Sequence, residues 1–292
     1  MKPLSAWPLD ERRQIIGVFT DIDDTLTTEG AITPDALAAL GDLTAAGLTV
    51  IPITGRPVGW SEPFALGDAV RGVAPWPVDA IVAENGSVAI FGNQNGLKSP
   101  SNINSLLSKT YQQDAATRAQ NFARMQDVVQ QILREVPGAK VSEDSDGRET
   151  DIAIDHSEFT HLSAEQIAQV VAVMQREGMT ATVSSIHING WYGAHNKWVG
   201  ACWMVQTLLG RDLAQEVNRW VYVGDSTNDQ LMFEAFPHSV GVANIRRFEA
   251  QLTHLPRYVT LGERGAGFAE VAQAILQGRD FTRCAGQSPP AR

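Results

Sequence analysis

The stretch Asp21-Ile22-Asp23-Asp24-Thr25-Leu26 follows an apolar run, Ile15-Ile16-Gly17-Val18-Phe19-Thr20, that reads as a buried strand. Its carboxylates therefore emerge where a strand ends and a loop begins. In an open α/β sheet, ligands bind in the crevice outside the carboxyl ends of the strands, and acids at i and i+2 there can share one reacting group. Three carboxylates within four residues repel one another, and a divalent cation with its demand for oxygen ligands relieves that repulsion. The plainer alternative is an acidic turn in which Asp24 or Thr25 caps the next segment.

Two further sites repeat this placement. Leu48 to Ile53 reads as a strand running into Thr54-Gly55-Arg56-Pro57, where a threonine hydroxyl and loop amides suit a phosphoryl oxygen. Arg56 either serves a second anionic group or pairs with a surface carboxylate. Trp220-Val221-Tyr222-Val223 is another apolar strand, and it ends in Gly224-Asp225-Ser226-Thr227-Asn228-Asp229, a second acidic cluster ahead of a helix through Leu231, Met232 and Phe236. Lys197 opens a helix carrying Val199, Cys202, Val205 and Leu208. In isolation it reads as a solvated lysine, but two acidic loops facing one crevice give it a task.

The remaining pattern supplies the elements that must hold these groups. Thr33-Pro34 is an N-cap followed by proline at the first helical position, and this helix runs to Gly47. Ala80 to Ala83 and Val88 to Phe91 form a hairpin around Glu84-Asn85-Gly86, and Asn93-Gln94-Asn95-Gly96 is turn chemistry. Composition then shifts, and a boundary is placed near Lys98. The inserted stretch shows a long helix through Phe122 to Leu133 and a strand Thr150–Asp155, then a helix from Ser163 to Gly178 and an alternating run Thr180–Trp191. That alternation puts Asp151 and Asp155 on one face, and His187, Asn189 and Trp191 on the face they would share if the strands join one sheet. Gly265-Ala266-Gly267 leads into a last helix expected to stop at Gly278, and Ser288–Arg292 reads as a frayed tail.

Composition bounds the function classes. With 23 Lys plus Arg against 33 Asp plus Glu, the net charge of −10 argues against nucleic-acid or anionic-membrane binding by bulk charge. Only two cysteines occur, Cys202 and Cys284, so neither a disulfide framework nor a thiolate metal site is expected. Met1 to Gln14 has no continuous apolar stretch and no later run approaches the length of a membrane span, which makes the cytoplasm the expected compartment.

Taken in order, Asp21-Ile22-Asp23-Asp24-Thr25, Thr54, Lys197 and Gly224-Asp225-Ser226-Thr227-Asn228-Asp229 resemble the four motifs of the haloacid dehalogenase-like superfamily of phosphotransferases. The large insertion, with Thr54-Gly55-Arg56 and Glu84-Asn85-Gly86, is similar to the class IIB capped branch, which includes Cof-like, sucrose-phosphate, mannosyl-3-phosphoglycerate and trehalose-phosphate phosphatases. Trp198 after the lysine, and Ser226-Thr227 in the last loop, depart from the glycines more usual there. The resemblance implies a Rossmann-like, mostly parallel α/β core formed by residues 1–97 and 194–292, with an inserted α+β cap domain over 98–193. It implies Asp21 as nucleophile, Asp23 as general acid and base, and Thr54, Gly55 and Lys197 as phosphate-binding groups. Mg²⁺ would be held by Asp21, the Asp23 carbonyl and Asp225, with Asn228 and Asp229 as ligands or orienters.

The expected activity is hydrolysis of a small phosphorylated metabolite, foremost a sugar phosphate, through an aspartyl-phosphate. A phosphomutase would use the same two acids, and a phosphate-ligand sensor on the same fold could dispense with either. Arg56, Asn85, Asp151, His187, Asn189 and Trp191 are the candidates for reading the leaving group, with the indole as a platform for a sugar's C–H face, unless Trp191 packs at the hinge.

Overall fold

The structure, a computed structural model, describes residues 1–91 and 109–285, with side chains as far as Arg279. The expected Asn93–Gly96 turn, the boundary near Lys98, the Cys284 side chain and the Ser288–Arg292 tail lie outside the described residues. The central sheet has six strands, ordered Lys2–Pro3, Tyr258–Val259, His238–Gly241, Trp220–Gly224, Gly17–Thr20 and Thr49–Pro52, and every neighbouring pair is parallel. Both faces are covered, which is why these strands read as unbroken apolar runs rather than alternating ones. Val18, Val50, Val221 and Val240 pack with helices Pro34–Ala45 and Arg264–Ala285, whereas Phe19, Ile51, Trp220 and Tyr222 pack with Lys197–Leu209 and Gln230–Ala235.

From Gly17–Thr20 the chain continues to the strand on one side and returns much later to the strand on the other. That reversal opens the crevice at the carboxyl ends where Asp21 and Asp225 lie. Thr33 accepts the Ala36 N–H as the expected N-cap of the first long helix. The last helix does not stop at Gly278 but runs on to Ala285. A β-carbon on Gly278 would lie 3.2 Å from the Arg12 carbonyl carbon, so the glycine serves close packing rather than termination.

A hairpin of Ala80–Ala83 and Val88–Phe91 extends this core through a bridge from Ile53 to Val82. Lys109–Tyr111, which the sequence placed in the insertion, is instead the third strand of this hairpin sheet, paired with Val88–Ile90. Its three residues carry no alternation from which a partner could be read. The inserted unit then builds a four-stranded antiparallel sheet, ordered Thr180–Val183, His187–Trp191, Ile152–Asp155 and Lys140–Val141. Helices Ala115–Glu135 and Ala164–Arg176 cover one face, giving an apolar core of its own around Met125, Ile132, Ile154, Val170 and Ile188. Ser163 caps the second helix in a reciprocal capping box with Gln166. Core and insertion meet where helix Val58–Leu66 touches the turn Ser145–Gly147, backbone to backbone at Gly59 and Gly147.

Candidate active site

Asp21 leaves its strand with its N–H bonded to Val223 O at 2.8 Å, so the first acidic loop is pinned to the strand that carries the second. Lys197 arrives at the first turn of its helix, capped by Asn196, and its buried Nζ donates to Asp21 Oδ1 at 2.8 Å and Asp229 Oδ1 at 2.6 Å. Asp229 is fully committed: Tyr222 also donates to Oδ1, and Oδ2 accepts the Asp225 and Ser226 N–H groups at 2.9 and 3.2 Å. It fixes the lysine and closes its own loop. Asn228 Oδ1 accepts the Ser226 hydroxyl at 2.9 Å.

Asp225 differs from these. Asn244 donates to its Oδ2 at 3.2 Å, but its buried Oδ1 has no hydrogen-bond partner among the described residues. An unpartnered buried carboxylate oxygen is costly, and here burial, with Asp21 and Asp229 beside it, pushes the Asp225 carboxyl well above its ordinary value. Asp21 is likewise pushed up by burial, which outweighs the opposing Lys197. Each of Asp21, Asp225 and Asp229 offers an oxygen, all within 4.8 Å of one another. Three carboxylates around one ammonium, with a bare oxygen among them, form a donor set suited to a hard divalent cation, and Asp21 and Asp225 are the two with capacity to hold it.

Thr54 is buried with its Oγ1 accepting the Arg56 N–H at 3.0 Å. Arg56 does not wait free for a ligand. Its Nε and Nη2 grip Asp23 at 3.0 and 2.9 Å, Nη1 reaches Asp144 at 3.1 Å, and Nη2 reaches Glu158 at 2.7 Å. Burial opposes its charge, but Asp23 and Glu158 hold it above the ordinary guanidinium range. Asp24 takes the left-handed conformation at φ +55°, its carbonyl bonded by Asn244, in keeping with a turn residue.

The other expected leaving-group residues are placed differently from one another. Asp151 and Asn189 do share a face, but they bond each other at 3.0 Å, Asn85 donates to Asp151 at 3.2 Å, and Asn189 donates to Gly55 O at 3.2 Å. They tie the insertion to the Thr54 loop. Burial pushes the Asp151 carboxyl up to about 7 against the pull of Arg148. His187 Nε2 lies 2.8 Å from Glu158. Trp191, expected as a sugar platform, is only 1% exposed. It packs in the insertion's own core, stacks on His195 and donates to His195 O at 2.9 Å, so it is a hinge residue. A large indole gains more from burial where the chain returns to the core than from an open face.

Arg148, Glu29 and Glu158 carry no signal in the sequence, and Glu84 carries one only as part of Glu84-Asn85-Gly86. Glu84 is fully buried and accepts from the Val58, Glu149 and Thr150 N–H groups. Arg148 bonds Gly55 O, Asp151 and Asp144. Glu29 and Gly30, at φ +51° and +78°, make the tight turn of a hairpin, Thr27–Thr28 with Ala31–Ile32, beside Asp24. With Asp23, Arg56, Glu158, Phe159 and Arg264 they line a cleft of about 390 Å³.

No family model matches the sequence, and no curated protein matches it significantly. Solved structures do. A sucrose-phosphatase from Synechocystis sp. PCC6803, in complex with sucrose and phosphate, aligns at 17% identity and a TM-score of 0.60 over 90% of this chain and 98% of its own. This chain has the fold of the haloacid dehalogenase-like phosphatases. A trehalose-6-phosphate phosphatase related protein covers 92% of the chain and 99% of its own at 13% identity and a TM-score of 0.57. A phosphatase of the haloalkanoate superfamily from Bacteroides thetaiotaomicron covers 95% and 98% at 13% identity and a TM-score of 0.56. The haloacid dehalogenase-like fold thus spans nearly all of the chain, insertion included.

Proposed function

We propose that the protein is a phosphomonoesterase acting on a small phosphorylated metabolite, foremost a sugar phosphate. The observation that carries this reading is Lys197, buried between Asp21 and Asp229 at 2.8 and 2.6 Å beside the unpartnered Oδ1 of Asp225. Asp21 attacks phosphorus in line and becomes an aspartyl-phosphate. Lys197 and the Thr54 hydroxyl receive the phosphoryl oxygens, with the ammonium held in place by Asp229. Asp23, whose two oxygens accept from Arg56 here, first takes up a proton from solvent and shifts off that contact; it then gives the proton to the leaving oxygen and takes one from the attacking water. Mg²⁺, held by Asp21 and Asp225, would neutralise charge on nucleophile and phosphoryl group.

The cleft beside Asp23 supports a polyhydroxylated leaving group. Glu29 and Glu158 can accept from hydroxyls, Phe159 is 64% exposed and offers the apolar face expected of Trp191, and both arginines there already lie against carboxylates. The sugar-phosphate reading also agrees with the sucrose and phosphate bound to the Synechocystis relative. Phosphate release with Mg²⁺ should be measured over a panel of sugar phosphates, nucleotides and phosphoglycerates. Release from sugar phosphates well above the rest is expected. Isomerised esters without free phosphate would assign a mutase, and inertness towards the whole panel would overturn the reading.

A further inference from the structure

We propose that Arg148, a residue of the insertion, is a positioning residue for phosphate. It clamps the Gly55 carbonyl and thereby aims the Thr54 hydroxyl into the crevice. The inference rests on the proposed phosphomonoesterase reading and adds a role that the four sequence motifs leave unassigned.

Arg148 Nη1 donates to Gly55 O at 3.0 Å, and Asn189 Nδ2 donates to the same oxygen at 3.2 Å. The Gly55 C=O and the Arg56 N–H belong to one planar peptide unit, so two donors on the oxygen set the direction of the N–H at the other end. That N–H donates to Thr54 Oγ1 at 3.0 Å. With one lone pair so engaged, the rotor of the Thr54 hydroxyl is biased, and its hydrogen is left for an acceptor in the crevice. Phosphoryl oxygens are such acceptors. The clamp reaches Thr54 through a peptide plane, without either donor touching the ligand.

The donors are themselves held. Arg148 is braced by Asp151 Oδ1 at 2.7 Å and Asp144 Oδ1 at 3.1 Å, and Asp151 Oδ2 takes both Asn85 and Asn189. Glu84 fixes the following backbone by accepting the Glu149 and Thr150 N–H groups at 2.9 and 2.5 Å. Arg148 and Asp151 are buried, and a guanidinium with this much geometric constraint is a rigid donor. Seating of the insertion on the core and orientation of the phosphate loop are therefore one event. A preorganised donor is worth more than a mobile one because it need not reorient as charge develops.

The test is a double-mutant cycle read by binding. Inorganic phosphate binding is measured calorimetrically in Mg²⁺ buffer for wild type, Arg148→Met, Arg148→Lys, Thr54→Val and the Arg148→Met/Thr54→Val pair. Arg148→Met should weaken phosphate binding roughly tenfold, and Arg148→Lys should recover part of the loss. In the Thr54→Val background the same change should cost less than about twofold, because the group it acts through is gone. Equal losses in both backgrounds, or unchanged phosphate binding in Arg148→Met, would overturn the clamp. A fall in urea stability that leaves phosphate affinity intact would also overturn it, by assigning Arg148 a purely structural role. Absence of phosphate binding in wild type would sink the phosphomonoesterase reading itself, a result distinct from the other two.

Discussion

Two charged clusters lie within one molecule and are built on opposite principles. At the strand ends, Asp21 and Asp229 hold one ammonium with Asp225 beside them, and an oxygen of Asp225 has no partner among the described residues. Where the insertion meets the core, Asp144, Asp151 and Glu158 surround Arg56 and Arg148, and every carboxylate oxygen of these three has a donor or a cation against it. The first cluster stores repulsion that a cation can discharge, whereas the second is complete and holds two bodies together. A buried acid can thus be a cost kept for chemistry or a fastening, and the partner of each oxygen distinguishes the two.

The sharpest way to break the contrast is Asp21→Asn. It keeps the shape and one carbonyl oxygen but removes the proposed nucleophile, so turnover should fall roughly a thousandfold or more with the fold intact by circular dichroism. Phosphate release within about tenfold of wild type would end the mechanism. Next in size is removal of metal: excess chelator should stop turnover and Mg²⁺ should restore it, with Ca²⁺ a poor substitute because its larger, looser coordination misplaces the reacting groups. Full activity in chelator would refute the role given to the bare oxygen of Asp225.

Stability measurements sharpen the comparison further. In metal-free protein, Asp225→Asn should raise the unfolding free energy by about 1 kcal/mol, since it replaces a carboxyl whose charge burial and its acidic neighbours oppose, while abolishing stabilisation by Mg²⁺. Asp144→Asn should lower it by about 2 kcal/mol, since it removes a partner of both Arg56 and Arg148. Urea titrations that moved the two variants the same way would erase the distinction. The smallest effect is the part of the pH dependence that Asp144 and Glu158 contribute. Burial alone would raise Asp144 and Glu158, but Arg148 beside the first, and His187 with Arg56 beside the second, hold both carboxyls at about 2. A folded value below the unfolded one gives stability that is present above the unfolded value and lost as pH falls through the folded one. Wild type should therefore lose stability between pH of about 4 and 2, and the Asp144→Asn/Glu158→Gln pair should lose less of it there.

The first cluster was legible in the sequence and most of the second was not, for a physical reason. Asp21, Thr54 and Asp225 follow apolar runs of strand length, and the carboxyl end of a parallel strand is a fixed address in an α/β sheet. Arg148 announces nothing and Glu84 only its strand-end motif, not its partners, because Gly55 and Thr150 lie 93 and 66 residues away and no local period links them. Alternation correctly put Asp151 and Asn189 on a shared face, since Asn189 pairs with Ala153 across the strands. It could not say what covers that face, and so it leaves Trp191 between a ligand platform and the hinge, where the indole in fact packs.

The contact of Gly59 with Gly147 has a consequence for turnover frequency. A β-carbon on Gly59 would sit 2.8 Å from the Gly147 Cα, in a place occupied by no reacting group. An alanine there would act as a doorstop, propping the insertion ajar while leaving nucleophile, acid and lysine untouched. If the insertion opens and closes over the crevice, the closed population would fall and product would escape sooner, so turnover limited by opening would run faster at saturating substrate and worse at low substrate. Two hydrogen atoms in place of two side chains let the insertion come this close to the core.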